Sequence, residues 1–209
     1  PLPTIDTALL TRFLVDLLKT PSPTGLTEDA LALTERMFRT LPGVNTTRTR
    51  KGALLVTLQG ERQDAPRALA AHVDTLGAMV KVIKPSGRLV MSMIGGYAWN
   101  TVEGEGCTVF TRDGKAIRGS ILLTQASSHV YGVKTGETKR EADTMEVRLD
   151  EKVTSDKETK ALGISVGDFI AFDPRVELTN GFVRSRHLDD KAAVACLLEA
   201  ARALTADGL

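Results

Sequence analysis

Apolar side chains recur at helical spacing over Thr7–Leu18, where Leu10, Phe13, Leu14, Leu17 and Leu18 form one stripe and Asp6 stands at the N-cap position. This pattern predicts an amphipathic helix. It stops at Thr20-Pro21-Ser22-Pro23-Thr24-Gly25, because proline cannot continue a helix and glycine admits a positive φ. A second helix is predicted from about Thr27 to Leu41, with Leu31, Thr34, Phe38 and Leu41 on one face, Glu28 and Asp29 near its positive end, and Pro42-Gly43 as its stop. The period then shortens, and Val44–Arg50, Ala53–Leu58 and Arg67–His72 read as strands. Ala68-Leu69-Ala70-Ala71 has no polar alternation, which predicts a strand buried on both faces in the middle of a sheet. Two helices followed by strands argue for an α/β layer structure.

From Met79 the texture changes to short β-like segments between glycine turns. Met79–Lys84, Arg88–Met93, Cys107–Thr111 and Ala116–Leu123 alternate or run apolar, and Asp113-Gly114 is a hairpin signal. Ser127–Thr144 reads as a polar, mobile loop. A strand at Met145–Leu149, a short helix around Ser155–Leu162 and a strand at Phe169–Phe172 follow. After Asn180-Gly181, a strand at Phe182–Ser185 leads through His187-Leu188-Asp189-Asp190 into a helix from about Lys191 to Leu204. The simplest organisation is an α/β domain in two parts, residues 1–78 and 181–209, interrupted by an inserted mainly-β domain over 79–180.

Composition narrows the function classes. Of 209 residues, 42% are hydrophobic and 25% charged, the balance of a folded globular chain. Lys plus Arg number 27 against 26 Asp plus Glu, so a formal net charge of +1 gives no basic field to collect phosphates, and no nucleic-acid partner is expected. Runs such as Ala192–Leu198 fall far short of the roughly 20 apolar residues that cross a bilayer, and Pro1–Asp6 lacks the basic and apolar regions of a secretory leader. No membrane partner is expected. Cys107 and Cys196 are too few for a disulfide framework and lack zinc-ribbon spacing, so both are expected to be small buried hydrophobes in a protein of the reducing cytoplasm.

The three histidines are His72, His129 and His187. His72 ends the most apolar predicted strand, and in His72-Val73-Asp74 an imidazole can bind a metal while the carboxylate holds its other nitrogen. A carbonyl partner at a strand end explains such a histidine equally well. Asp189-Asp190 also lies between a strand and a helix; alone, the pair is equally an N-cap with a favourable charge in the first turn. His129, in the polar loop, reads as solvated or structural. His187, two residues before Asp189, suits a supporting or packing role behind a ligand better than direct ligation. Thr75-Leu76-Gly77 reads as a tight exit from the strand, with Gly77 absorbing a strained backbone.

Taken together and in order, Thr20-Pro21-Ser22-Pro23-Thr24-Gly25, Ala71-His72-Val73-Asp74-Thr75-Leu76-Gly77, Gly95-Gly96, Gly163-Ile164-Ser165-Val166-Gly167-Asp168 and Leu188-Asp189-Asp190-Lys191 give the chain, over nearly its whole length, a resemblance to the M42 metallo-aminopeptidases, the glutamyl and tetrahedral aminopeptidases. The insertion falls between the histidine and the aspartate, as in M42; in the related M20 deacylases the extra domain comes later. Ser128-His129-Val130-Tyr131, Glu146–Glu151 and Ser185–Lys191 are similar to the M42 subgroup linked to the osmoprotectant N-acetylglutaminylglutamine amide.

The resemblance implies that His72 binds one metal, that Asp74 orients His72 at the catalytic centre, and that Asp189 bridges two divalent ions (zinc, cobalt or manganese), with Asp190 following through a cis peptide. It implies hydrolysis of N-terminal residues from short peptides, and a homo-oligomer assembled through the inserted domain. The family's adjacent glutamate pair, further aspartate and late histidine cannot be placed after Asp190, where the acids are Glu199 and Asp207. The 209 residues are therefore expected to be the first part of a longer enzyme and inactive alone. An inactive assembly or binding module and an M20-like amidohydrolase are the competing readings.

Overall fold

A computed structural model describes residues 3–60, 62 and 64–206; Asp207 lies outside the described residues. The chain divides into two compact units, Leu76–Asp173 and a second made of the flanking segments up to Thr75 and from Pro174 onward. The inserted unit thus begins three residues before Met79, and Pro174–Asn180 fall in the flanking unit.

The flanking unit opens with α1 (Thr7–Lys19), whose Asp6 side chain accepts a hydrogen bond from the Leu9 amide, and α2 (Glu28–Phe38). Phe13, Leu14, Leu17 and Leu18 of α1 form the core stripe. Next, β1 (Val44–Arg48) and β2 (Leu54–Leu58) pair antiparallel as a two-stranded sheet. Here the structure corrects the central-strand expectation: Arg67–His72 is not a strand, and Ala68, Leu69 and Ala70 are exposed, Leu69 at 79%. Apolar sequence makes a buried strand only where neighbours complete its ladder. Among the described residues this stretch has only an isolated parallel bridge between Pro23 and Thr75 just beyond it, and Pro23 has no amide hydrogen with which to extend that pairing.

The other unit is a closed, all-antiparallel barrel. Its strands are β3 (Gly77–Ile83), β4 (Leu89–Ile94), β5 (Gly106–Phe110), β6 (Ala116–Leu123), β7 (Met145–Leu149) and β8 (Phe169–Phe172), in the order β3-β4-β7-β6-β5-β8 with β8 closing on β3. Alternate inward residues such as Ile117, Ile121 and Leu123 of β6 join Val80, Met91 and Val147 in one core. Glu146 of β7, on the opposite face of the strand from the core residues Met145 and Val147, is buried 2.6 Å from Lys84 Nζ and also paired with Arg88. The run Ser127–Thr144, expected as a mobile loop, carries two single helical turns, α3 (Ser128–Tyr131) and α4 (Lys134–Glu137). Arg140 pins it by pairing with Glu103 at 2.8 Å and donating to the carbonyls of Thr135 and Thr138. The short helix α5 (Asp156–Ala161) is capped by Ser155.

Gly77 sits at the start of β3 opposite Ile94 rather than in a strained turn. The nearby position that requires a glycine is Gly95, with φ 76°, where a Cβ would lie 2.5 Å from Leu76 Cδ2.

Back in the flanking unit, β9 (Glu177–Thr179) and β10 (Phe182–Arg184) form a hairpin across Asn180 and Gly181, whose φ values are 50° and 80°. Two positive φ angles are what a type I′ turn requires, and Asn-Gly meets that need. β9 was not expected; it lay in the stretch read as the end of the insertion. The closing helix α6 (Leu188–Ala206) packs Val194, Ala195, Leu198 and Ala201 against α1. Cys107 is buried, but Cys196 is exposed, correcting the expectation that both thiols are buried; one residue past Ala195 turns the helix about 100° away from the core. Among the described residues no helix is long and apolar enough to cross a membrane.

Candidate metal centre

The segment that carries His72 is held by main-chain bonds to the exit of α1. The Thr75 amide donates to the Ser22 carbonyl at 2.8 Å, the Thr24 amide to the Thr75 carbonyl at 3.2 Å, and the buried Ser22 hydroxyl to the Val73 carbonyl at 2.7 Å. His72 Nδ1 faces two acceptors, Asp74 Oδ1 at 3.0 Å and the Asp74 carbonyl at 3.1 Å. Two acceptors at one ring nitrogen require a hydrogen there, and in a neutral imidazole that leaves the lone pair on Nε2.

At the head of α6, Asp189 and Asp190 have non-helical backbone angles and are joined by a cis peptide, as the resemblance implies. Asp189 Oδ1 lies 3.2 Å from His72 Nε2. Lys191, the next residue but one, is fully buried and donates from Nζ to the carbonyls of Leu17 and Thr20 at 2.8 and 2.7 Å. Burial pulls its ammonium down to about 8, while the two carbonyl dipoles favour its charged form. The Leu17 carbonyl, which also accepts from the Thr20 amide at 3.2 Å, and the Thr20 carbonyl just past the end of α1 thus find a cation at the negative end of the helix.

His72, Asp74 and Asp189 therefore converge. Asp190 is half-buried beside Asp189, and His187 lies two residues before it with a left-handed φ of 69°. His129 is in α3, in the barrel unit, and exposed. Glu199 is buried and committed elsewhere: it accepts from Arg202 Nε at 2.8 Å and from the Asp6 amide, and the Arg202 guanidinium holds its carboxyl below the usual range. Sequence reasoning did not single out Thr24, whose hydroxyl donates to Asp74 Oδ2 at 2.6 Å, or the anchoring role of Lys191. Both sit inside matched motifs, but Thr20–Gly25 signalled only a helix stop.

The donor set fits a divalent ion in part. Ligands about 2.0–2.1 Å from one tetrahedral ion lie roughly 3.3 Å apart, and the observed 3.2 Å between His72 Nε2 and Asp189 Oδ1 matches that spacing. With Nδ1 carrying the hydrogen, two lone pairs face each other across this gap, and only a positive centre, a proton or a metal ion, makes the approach favourable. Both side chains are accessible, His72 at 52% and Asp189 at 94%. Surface ion pairs of this kind contribute about 0–1 kcal/mol, so stability alone gives little reason for the arrangement. Among the described residues no group of three or more His, Cys, Asp or Glu side chains is placed to hold a metal.

Residues 52–209 match the profile of the family described as M42 glutamyl aminopeptidase. The chain is 50% identical over 184 residues to the Bacillus subtilis protein YhfE, covering 88% of this chain and 53% of that one. It is 32% identical over 120 residues to the glutamyl aminopeptidase of Lactococcus lactis, covering 57% of this chain and 33% of the relative. Among solved structures, the TET aminopeptidase of a marine-sediment Thaumarchaeota archaeon superposes with a TM-score of 0.81 at 24% identity over 96% of this chain and 55% of its own. The Pyrococcus horikoshii TET1 peptidase, described as assembling into a tetrahedron or a large octahedral shell, gives 0.76 at 23% identity over 96% and 58%. These likenesses show a shared mixed α/β fold with an inserted barrel. The chain spans about half the length of YhfE and of these structures.

Proposed function

The chain belongs to the M42 peptidase family, and from that premise we propose that it carries the first half of a two-metal aminopeptidase site that removes N-terminal residues from short peptides. The observation that carries this reading is the 3.2 Å approach of Asp189 Oδ1 to a His72 Nε2 freed for ligation by Asp74. His72 would hold one divalent ion through Nε2. Asp189 would be shared between that ion and a second one. Zinc, cobalt and manganese all suit imidazole with carboxylates.

The chemistry that such ions supply when bound is polarisation of a scissile carbonyl and acidification of a water molecule. Asp74 keeps the hydrogen on Nδ1 and fixes the plane of the ring, which raises the donor strength of Nε2. Glu199 is not available as a base, since it is tied to Arg202 and to the Asp6 amide. The base and the remaining ligands would come from the part of its relatives' length that this chain does not span, so the 209 residues alone would be inactive. The barrel unit would serve assembly into a homo-oligomer, a reading supported by the shell-forming Pyrococcus horikoshii relative.

The test is turnover of aminoacyl p-nitroanilides by the full-length protein and by the 209-residue chain, each stripped with a chelator and resupplied with zinc, cobalt or manganese. Metal-restored release of nitroaniline by the full-length protein alone is the expected result. Turnover by the 209-residue chain would refute the half-site reading, and a full-length protein inert with every metal would favour the assembly module.

A further inference from the structure

The segment between α1 and α2 does more than end a helix. Pro21 and Pro23 each fix one backbone angle, and the segment is fastened on two sides. Lys191 Nζ holds the Thr20 carbonyl at 2.7 Å. On the other side, the strand-like pairing of Pro23 with Thr75 and the Ser22 to Val73 bond hold it to the His72 segment. Thr24 is thereby presented to Asp74, with its hydroxyl 2.6 Å from Oδ2. A carboxylate has two oxygens and one free rotation. With Oδ2 taken by Thr24, Oδ1 is the oxygen left for His72 Nδ1, 3.0 Å away.

We propose that Thr24 is a positioning residue for the metal centre: its hydroxyl locks the Asp74 carboxylate, which in turn sets the tautomer and plane of His72. Partners one step behind a metal ligand typically change affinity by about 10–100-fold when removed. The inference rests on the metal-binding reading of His72 and Asp189.

The experiment measures zinc affinity of the full-length protein by competition with a chromophoric chelator for wild type, Thr24→Val, Thr24→Ser, Asp74→Ala, the Thr24→Val/Asp74→Ala pair and Asp189→Asn. Thr24→Val, which keeps the shape and removes the hydroxyl, is expected to weaken zinc binding by about 10-fold or more. Thr24→Ser is expected to restore it, and Thr24→Val is expected to add nothing once Asp74 is alanine. A Thr24→Val loss of equal size in both backgrounds would mean a general structural effect and overturn the inference. So would wild-type affinity in Thr24→Val while Asp189→Asn abolishes binding. Wild-type affinity in Asp189→Asn would instead remove the metal-binding reading itself.

Discussion

His72 Nε2 lies 3.2 Å from Asp189 Oδ1, although the whole six-stranded barrel separates the two residues in the chain. An amide at position 189 keeps the shape and loses the charge that a cation needs. Asp189→Asn is therefore predicted to weaken zinc binding of the full-length protein by more than the roughly 10–100-fold typical of an indirect partner, while the circular dichroism of the barrel strands stays as in the wild type. Chelator competition reads the first and far-ultraviolet spectra the second. Unchanged affinity would mean that Asp189 is not a ligand.

Lys191 ties α6 to the end of α1 through the Leu17 and Thr20 carbonyls. Methionine at this position fills the same channel without donors. Leaving a buried acceptor without a partner costs about 1–3 kcal/mol, offset in part because the ammonium no longer has to be buried. Lys191→Met is predicted to destabilise the helical unit by about 1–3 kcal/mol, read as a lower urea midpoint in the helical circular dichroism signal. An unchanged midpoint would show that the ammonium's burial cost equals what its two bonds contribute.

Gly119 of β6 has no room for a side chain: a Cβ would lie 2.8 Å from the Arg148 carbonyl oxygen and 2.9 Å from Val147 Cγ1. The obstruction is largely neighbouring main chain, which cannot yield without disturbing the β6–β7 ladder. Gly119→Ala is predicted to cost about 1–3 kcal/mol, as overpacking does, whereas Gly136→Ala, which meets nothing within 4 Å, is predicted to be near neutral. Trp99, the single tryptophan, packs on the barrel core and reports the transition by fluorescence.

The two thiols should behave oppositely. In the 209-residue chain, exposed Cys196 is predicted to react with a thiol reagent at neutral pH and buried Cys107 only after unfolding. Burial pushes the Cys107 thiol from an ordinary 9.0 up to about 12. Between these values the unfolded chain releases the proton and the folded chain keeps it. The folded state then binds more protons, and stability falls as pH rises, by up to about 1.4 kcal/mol per pH unit. Below pH 9 the contribution is intact. Cys107→Ala is predicted to flatten this decline relative to wild type in denaturation midpoints measured across the window.

What the sequence disclosed follows how local each determinant is. The stripe of α1, the Asp6 cap, and the strands β6, β7 and β8 are set by residues a few positions apart, and their limits were readable to within a residue or so. Arg67–His72 carries the letters of a buried strand without being one, because a buried strand depends on ladder partners that its own apolar letters do not reveal. The β9–β10 hairpin has a local signal in Asn180-Gly181, but its three-residue strand Glu177–Thr179 is too short to show an alternation of its own. Within the candidate site, His72, Asp74 and Asp189 stood in recognisable motifs. The hydroxyl of Thr24 on Asp74 and the ammonium of Lys191 on the α1 carbonyls join distant segments, and neither contact has a sequence period.

The most direct test of the metal-centre reading is anomalous diffraction at the zinc absorption edge from crystals of the full-length protein grown with zinc. An anomalous peak within bonding distance, about 2.0–2.2 Å, of both His72 Nε2 and Asp189 Oδ1 is the predicted result. A peak ligated by other side chains, with His72 and Asp189 still facing each other across a gap that holds no zinc, would contradict it.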